Sequence, residues 1–367
     1  MVAPANRRRG RGPDATTVAV MSTVPATSQP EGIEVAAVEA WYRDNLAGSA
    51  PPLRFERLAG GHSNLTYRVI DSAGTVTVLR RPPIGELLPS AHDMFREYRI
   101  ISALAATPVP VAPSLGFCDD LGVTGGRFYV MGFVEGRVLH EPSDVEAFLP
   151  VAARRRAGES LVEVAAALHR VDVDAVGLGD LGKREDYVQR QLTRWYRQYQ
   201  ASRGATPLVD SLYDALVARL PAQQRAAVVH GDYRMGNTMT RPDGSVAAVL
   251  DWEISTLGDP LADLGYLLAM WPEEGETFAT TATSPSALPG FPTRAEMLAH
   301  YARHSDLDLS AIGVYVAFSY WKVACINQGV WDRYDAGQKS ADGVDVASIR
   351  ASVDQLADLA AAALDDA

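Results

Sequence analysis

The sequence predicts an α+β chain of two lobes, a small antiparallel sheet followed by a mainly helical body. Short strand-like runs joined by tight turns gather between residues 55 and 134, around a single helical pattern. Helical patterns then dominate to the C-terminus, interrupted by short strands between 228 and 250. The length, 367 residues with 47% hydrophobic and 22% charged, suffices for two cores without disulfide or metal staples. The expected division is a disordered basic segment at 1–30, a sheet-built lobe at 31–134, and a mainly helical lobe at 135–367.

Each element has a local reason. Gly, Pro, Ser and Thr dominate up to Pro30, where no core can form, and Met21 offers an alternative start. Val35, Val38 and Trp41 recur as the buried face of a first helix. Strands follow at Phe55–Ala59, Leu65–Ile70 and Val76–Arg80, joined by Gly60-Gly61-His62-Ser63-Asn64 and by Asp71-Ser72-Ala73-Gly74, whose glycines and Asn/Asp suit tight antiparallel turns. Ser90 and Asp93 read as a capping box ahead of a helix with Met94, Tyr98, Ile101 and Leu104 at helical spacing. Strands near Ser114–Cys118 and Arg127–Val134 complete the sheet. Beyond a joint at Phe133–Gly136, helices span Arg154–Arg170 and about Arg184–Ser202.

Composition narrows the function. The net charge is −11, although residues 1–30 carry four arginines against one acid, so the body is more acidic still. That argues against nucleic acid as a partner, because phosphate neutralisation dominates such affinity. The most apolar stretch, Val314 to Ile326, is shorter than a membrane span and is interrupted by Lys322. Cys118 and Cys325 stand alone, which excludes a cysteine-based zinc site and fits a reducing, cytoplasmic compartment.

The stretch from Val228 to Tyr266 carries the chemistry. Val228 and Val229 deliver His230-Gly231-Asp232 into a loop, and strands Thr238–Thr240 and Val246–Leu250 flank the turn Arg241-Pro242-Asp243-Gly244. An antiparallel hairpin places the residue before its first strand beside the residue after its second. Asn237 and Asp251 are therefore expected side by side, with Asp232 in the same loop system. Such oxygen donors suit Mg²⁺, and a carboxylate beside that metal can take a hydroxyl proton. Phosphoryl transfer needs these parts together with a cation and a glycine-rich turn over the nucleotide, which Arg80 and Gly60–Asn64 are placed to supply. His230, His169, Asp259 and Asp263 read as scaffold: Asp259 as a helix cap ahead of Pro260, Asp263 as a support for the loop holding Asp232.

With Asp251-Trp252-Glu253 after His230-Gly231-Asp232 and Asn237, this stretch resembles the catalytic signature of the aminoglycoside phosphotransferase and choline kinase superfamily, a branch of the protein-kinase-like fold. It is most similar there to the phosphotransferase domain associated with acyl-CoA dehydrogenases. The supporting motifs are Gly60–Asn64, Val78–Pro83, Leu88–His92, Arg96–Tyr98, Tyr129–Met131, Asp186-Tyr187 and Leu257–Asp263, in the family's order over about residues 55–340. The resemblance implies a two-lobe, ATP- or GTP-dependent kinase of a small hydroxyl compound, with Mg²⁺. It matches Asp232 to the catalytic base, Asn237 and Asp251 to the metal ligands, and Glu253 to a second-metal candidate. Gly60, Gly61, Ser63 and Asn64 match the phosphate cover, and Glu97 the helix partner of Arg80. Arg80 stands where most of the wider fold has lysine. The nucleotide base is expected near Met131 and Phe133.

Two features bear on the acceptor. Arg190, Arg194 and Arg197 share a helical face that suits an anionic group such as coenzyme A phosphates, or is simply a solvated basic face. Asn327, Gln328 and Arg333 end an aromatic-rich helix and are candidates to line the acceptor site. Against these, Glu273, Glu274 and Glu276 form an acidic loop suited to a cationic acceptor. The readings are therefore a hydroxyacyl-type kinase, an aminoglycoside kinase, or a nucleotide-binding pseudokinase.

Overall fold

The structure, a computed structural model, describes residues 29–58, 64–85, 93–204, 206–276, 284–338 and 344–367. Gly60, Gly61, His62 and Ser63 of the expected phosphate cover, Ser90, and all but the end of the basic N-terminal segment lie outside these residues.

Helix α1 (Val35–Asn45) covers an antiparallel five-stranded sheet made of β1 (Arg54–Arg57), β2 (Leu65–Ile70), β3 (Val76–Arg81), β4 (Ser114–Cys118) and β5 (Phe128–Gly132). The spatial order is β1-β2-β3-β5-β4. Leu65, Tyr67 and Val69 alternate toward α1 on β2 and join Val38, Tyr42, Phe55 and Phe128 in a first core. The α1 face turns slightly from expectation: Val38 and Tyr42 are buried, whereas Val35 and Trp41 pack at the margin.

Helix α2 (Met94–Leu104) is capped by Asp93, whose Oδ1 accepts the Arg96 amide at 3.1 Å. The cap is thus Asp93 itself, the extended residue directly ahead of the helix, rather than Ser90. Its apolar face (Met94, Ile100, Ile101, Leu104) joins the core of the second lobe. Arg96 strengthens that link by donating to the Leu181 and Ser255 carbonyls at 2.8 and 2.6 Å. A short helix, α3 (Leu121–Thr124), connects β4 to β5.

The second lobe begins with β6 (Arg137–Val138), α4 (Pro142–Phe148), α5 (Val151–His169), α6 (Tyr187–Gln200) and α7 (Pro207–Arg219). Short strands β7 (Ala227–Val229), β8 (Thr238–Thr240), β9 (Val246–Val249) and β10 (Thr256–Gly258) follow. Then come α8 (Pro260–Ala269), α9 (Arg294–Ala302), α10 (Ile312–Asp335) and α11 (Val346–Asp365). β8 and β9 form the expected hairpin, extended by β6, and β7 pairs with β10. Among the described residues no helix is long and apolar enough to cross a membrane.

Candidate active site

The loop after β7 is held by its surroundings rather than by its own sequence. Three fully buried residues, Ala227 to Val229, end in His230. Asp263, in the first turn of α8, accepts the amides of His230 at 2.6 Å and Gly231 at 2.8 Å. Burial pushes the Asp263 carboxyl up, but the His169 imidazole 3.7 Å away, His230 and the Gly231 amide outweigh it and hold the group below its ordinary range. His230 Nε2 faces the Leu250 carbonyl at 2.7 Å and Nδ1 faces the Asp232 amide at 3.3 Å. A carbonyl only accepts and an amide N–H only donates, so the ring carries its proton on Nε2. His230 is thereby committed to scaffold duty. Asp259 caps α8 through the Leu261 amide and accepts the Tyr315 hydroxyl at 2.7 Å.

Asp232 and Asn237 are in direct contact. Asn237 Nδ2 donates to Asp232 Oδ2 at 2.7 Å and to its carbonyl at 2.8 Å. With the nitrogen so engaged, the amide oxygen of Asn237 is left to accept. The hairpin closes with the Leu250 amide donating to the Asn237 carbonyl at 2.9 Å, which sets Asn237 next to Asp251. Asp251 has a φ of +63°, a conformation costly for a non-glycine residue and concentrated at functional sites.

Asp251 Oδ1 receives Arg80 Nη2 at 2.8 Å, and Arg80 Nε lies 2.9 Å from Glu97 Oε2. Glu97 is buried and also accepts the Tyr129 hydroxyl at 2.9 Å and Asn64 Nδ2 at 3.4 Å. Burial opposes charge on Arg80, but Glu97, Tyr129 and Asp251 more than offset it and hold the guanidinium protonated. One arginine thus joins β3, α2 and the end of the hairpin.

Two cavities meet here. The first, about 330 Å³, lies between the lobes and is lined by Arg80, Met131, Phe133, Asn237 and Asp251, with Val78, Ala112 and Met239 as apolar walls. The second, about 320 Å³, is lined by Asp232, Tyr266, Trp271, Met270, Ser284 and Ser286 among others. His140, Arg234 and Gly236 line both. A larger cavity, about 610 Å³, lies between α1 and the β2–β3 hairpin, away from these groups; its one carboxylate, Asp71, is already bonded to the backbone amides of Ala50, Ala73 and Thr75.

Several expected residues are placed elsewhere. Glu253 lines neither of the two central cavities. Asn327 donates to Ser352 of α11 at 2.9 Å, Gln328 is buried against the Arg203 carbonyl, and Arg333 is exposed. Asn327 thus serves the α10–α11 packing and Gln328 the contact with the segment after α6, and none of the three lines the second cavity. Arg190 bonds the Lys183 carbonyl at 2.9 Å, Arg197 is exposed, and Arg194 stacks on Trp195 with 5.2 Å from guanidinium to ring centroid. Arg194 is nonetheless near enough to Lys322 of α10 to lower its proton affinity, behind burial as the main cause. Sequence reasoning missed Arg234, whose Nε lies 3.4 Å from Asp232 Oδ1, along with His140 and Tyr266. A cation two residues after the loop aspartate was the available signal for Arg234.

A small sheet packed over a helical lobe, with acid, amide and arginine converging between them, defines a kinase-like phosphotransferase. A family model, the phosphotransferase enzyme family, matches residues 54–301, and the chain belongs to that family. Among similar proteins is mouse acyl-CoA dehydrogenase family member 10, 37% identical over 307 residues, or 82% of this chain and 28% of that protein. The chain therefore spans little more than a quarter of that relative's length. A crystal structure assigned as an aminoglycoside phosphotransferase from Ralstonia eutropha is 36% identical, with a TM-score of 0.76 over 90% of this chain and 98% of that one. An amicoumacin kinase in complex with AMP-PNP, Ca²⁺ and amicoumacin shares the fold at 17% identity and a TM-score of 0.53, covering 89% and 92% of the two chains.

Proposed function

We propose that the chain transfers the γ-phosphoryl group of Mg-ATP to the hydroxyl of a small, largely apolar acceptor that carries no positive charge, with hydroxyacyl-CoA esters as the leading class. One observation carries this reading: Asn237 and Asp251 face the first cavity, Asp232 faces the second, and Arg234 stands on the wall they share. Donor and acceptor chambers thus share a wall, with Asp232 on its acceptor side.

The residues present fit the metal and the nucleotide. Asn237 and Asp251 offer hard oxygen donors to one cavity, the set Mg²⁺ prefers alongside phosphate and water. Bound there, the metal neutralises charge on the phosphate oxygens. Val78, Ala112, Met131 and Met239 give the first cavity apolar walls for a base, and the amicoumacin kinase holds an adenine nucleotide in the same fold. Arg80 contacts the donor phosphates while remaining paired to Glu97. Asp232 takes the acceptor's proton as the oxygen attacks, and Arg234 offsets charge on the group in transit.

The lining of the second cavity favours the acceptor class. Leu139, Met235, Leu267, Met270, Trp271 and Val323 dominate it, and Asp232 is the only carboxylate among its described residues. The acidic loop does not line this cavity: Glu273 accepts the Arg294 amide at 2.7 Å, Glu276 pairs with the Arg294 side chain, and Glu274 is exposed. A polycationic sugar finds little to bind, whereas Arg234 suits an acyl chain with an anionic head.

The test is a transfer screen with Mg-ATP over hydroxyacyl-CoA esters, free hydroxy acids, choline, sugars and aminoglycosides. Phosphorylation of the acyl compounds in preference to the cationic ones is expected. Preferential phosphorylation of an aminoglycoside would overturn the acceptor assignment, and turnover by Asp232→Asn equal to the native protein would overturn the mechanism.

A further inference from the structure

Lys322 and Tyr266 have no place in the mechanism above, yet both converge on its base. Lys322 is the charge that interrupts the apolar run of α10. Its ammonium donates to the carbonyl of Gly231, one residue before Asp232, at 3.2 Å. It also caps the ring of Tyr266 on α8, 4.7 Å from the centroid. Tyr266 in turn lines the same cavity as Asp232, where its hydroxyl interacts with the carboxylate. Gly231 has a φ of +87°, so the chain turns sharply where Lys322 holds it. Burial draws the Lys322 ammonium below its ordinary range, and Asp232 and Asp263 pull it back. The two contacts of Lys322, the Gly231 carbonyl and the Tyr266 ring, give this lysine a reason.

We infer that Lys322 and Tyr266 form a clamp that positions Asp232: Tyr266 fixes the carboxylate from the acceptor side, and Lys322 fixes both the ring of Tyr266 and the backbone that carries the aspartate. Asn237 holds the other side of the same carboxylate through Oδ2. With Arg234 near Oδ1, the carboxylate is constrained from the hairpin, its own loop and α8. The two clamp residues come from α8 and α10, which pack directly on each other, so acceptor-side packing is transmitted to the base. Val323, the neighbour of Lys322, lines the acceptor cavity. The inference rests on the reading of Asp232 as the base, but its central claim, the position of the carboxylate, is testable apart from chemistry.

The experiment uses the full chain and three variants. Tyr266→Phe removes only the hydroxyl, Lys322→Met keeps the stem and removes the charge, and Lys322→Arg keeps a cation. Crystal structures with Mg·AMP-PNP read the Asp232 side chain, and kinetics with Mg-ATP and the best acceptor read turnover. In Tyr266→Phe and Lys322→Met, Asp232 should leave its contact with Asn237 and kcat should fall by about 10²-fold, the loss typical of a displaced catalytic group, with the Mg-ATP KM unchanged. Lys322→Arg should restore most of the turnover and the native carboxylate position. Combining Tyr266→Phe with Lys322→Met should cost no more than the worse single change, because the two act as one unit. An Asp232 side chain that keeps its native position in both variants overturns the inference, whether turnover falls or not, since any loss would then arise elsewhere. If Asp232→Asn itself retained full activity, the proposed function would fail while the crystallographic comparison would still decide the clamp.

Discussion

Replacing Arg80 by methionine separates the structural and chemical duties of one side chain. The guanidinium makes two charge contacts, 2.9 Å to Glu97 and 2.8 Å to Asp251. Each is worth about 4 kcal/mol or more in gross Coulomb energy at an effective dielectric near 20. The net effect is decided by what each carboxylate does when left alone. The Asp251 side chain is 35% exposed and water can replace its partner, whereas that of Glu97 is 2% exposed and water cannot. Among the described residues, Glu97 would keep only the Tyr129 hydroxyl and the long contact from Asn64. Breaking a buried pair from one side typically costs about 3–5 kcal/mol, and that loss is expected at pH 7.

The pH dependence supplies the discriminating sign. Burial pushes the Glu97 carboxyl up, against the pull of Arg80 and Tyr129. Without Arg80 the folded-state value rises further above the unfolded one, near 4.3. A folded state that holds its proton more tightly is favoured at low pH, so the variant should lose stability as pH rises from that value and level off above the folded value. Urea unfolding followed from pH 5 to 8 should show the deficit growing with pH, and Arg80→Met/Glu97→Gln should recover part of it. A deficit that is flat across this range, or below about 1 kcal/mol, would refute the claim that Glu97 depends on Arg80.

Asp232→Asn should fold normally and lose about 10²–10⁴ in kcat, the usual cost of a missing general base; thermal unfolding and steady-state turnover check the two halves. Asp251→Asn should raise the Mg²⁺ concentration needed for half-maximal activity more than it raises the acceptor KM, read from a metal titration at saturating ATP. Asp263→Asn puts a side-chain amide against the His230 and Gly231 N–H groups and should cost about 1–3 kcal/mol in unfolding free energy, measured by denaturant titration. Arg194→Glu should raise the KM of an anionic acceptor, and the effect should shrink between low and high salt because exposed charges are screened over about 8–10 Å.

What the sequence made legible follows the range of the interactions involved. The β8–β9 hairpin is local, and its turn residues alone set Asn237 beside the residue after β9. Leu65–Ile70, Ser114–Cys118 and Thr238–Thr240 fall where alternation and turn signals put them. Helix starts were less exact: α6 begins at Tyr187, after Asp186 in a left-handed conformation that no local pattern announces. The acceptor side was the least legible. Asn327 lies one helical turn beyond Val323, about 6 Å further along the α10 axis, and there α11 covers the helix. Aromatic richness marked α10 as important without showing which turn reaches the cavity.

The same division explains why the proposed acceptor chamber differs in kind from the proposed donor chamber. Asn237, Asp251 and Arg80 belong to short-range or strand-registered structure, so their backbone placement survives as long as the hairpin and the β3–β5 pairing do. The acceptor wall is assembled from α8, α10 and the segment around Ser284–Ser286, elements distant in sequence whose side chains meet only through helix packing. Packing of that kind is altered by volume changes at positions such as Met270 or Val323 without touching the hairpin. It follows that substitutions in the acceptor wall should change which hydroxyl compound is phosphorylated while leaving Mg-ATP binding intact. Changes at Asp263 or Gly231 should damage turnover with every acceptor alike, because they move Asp232, the proposed base.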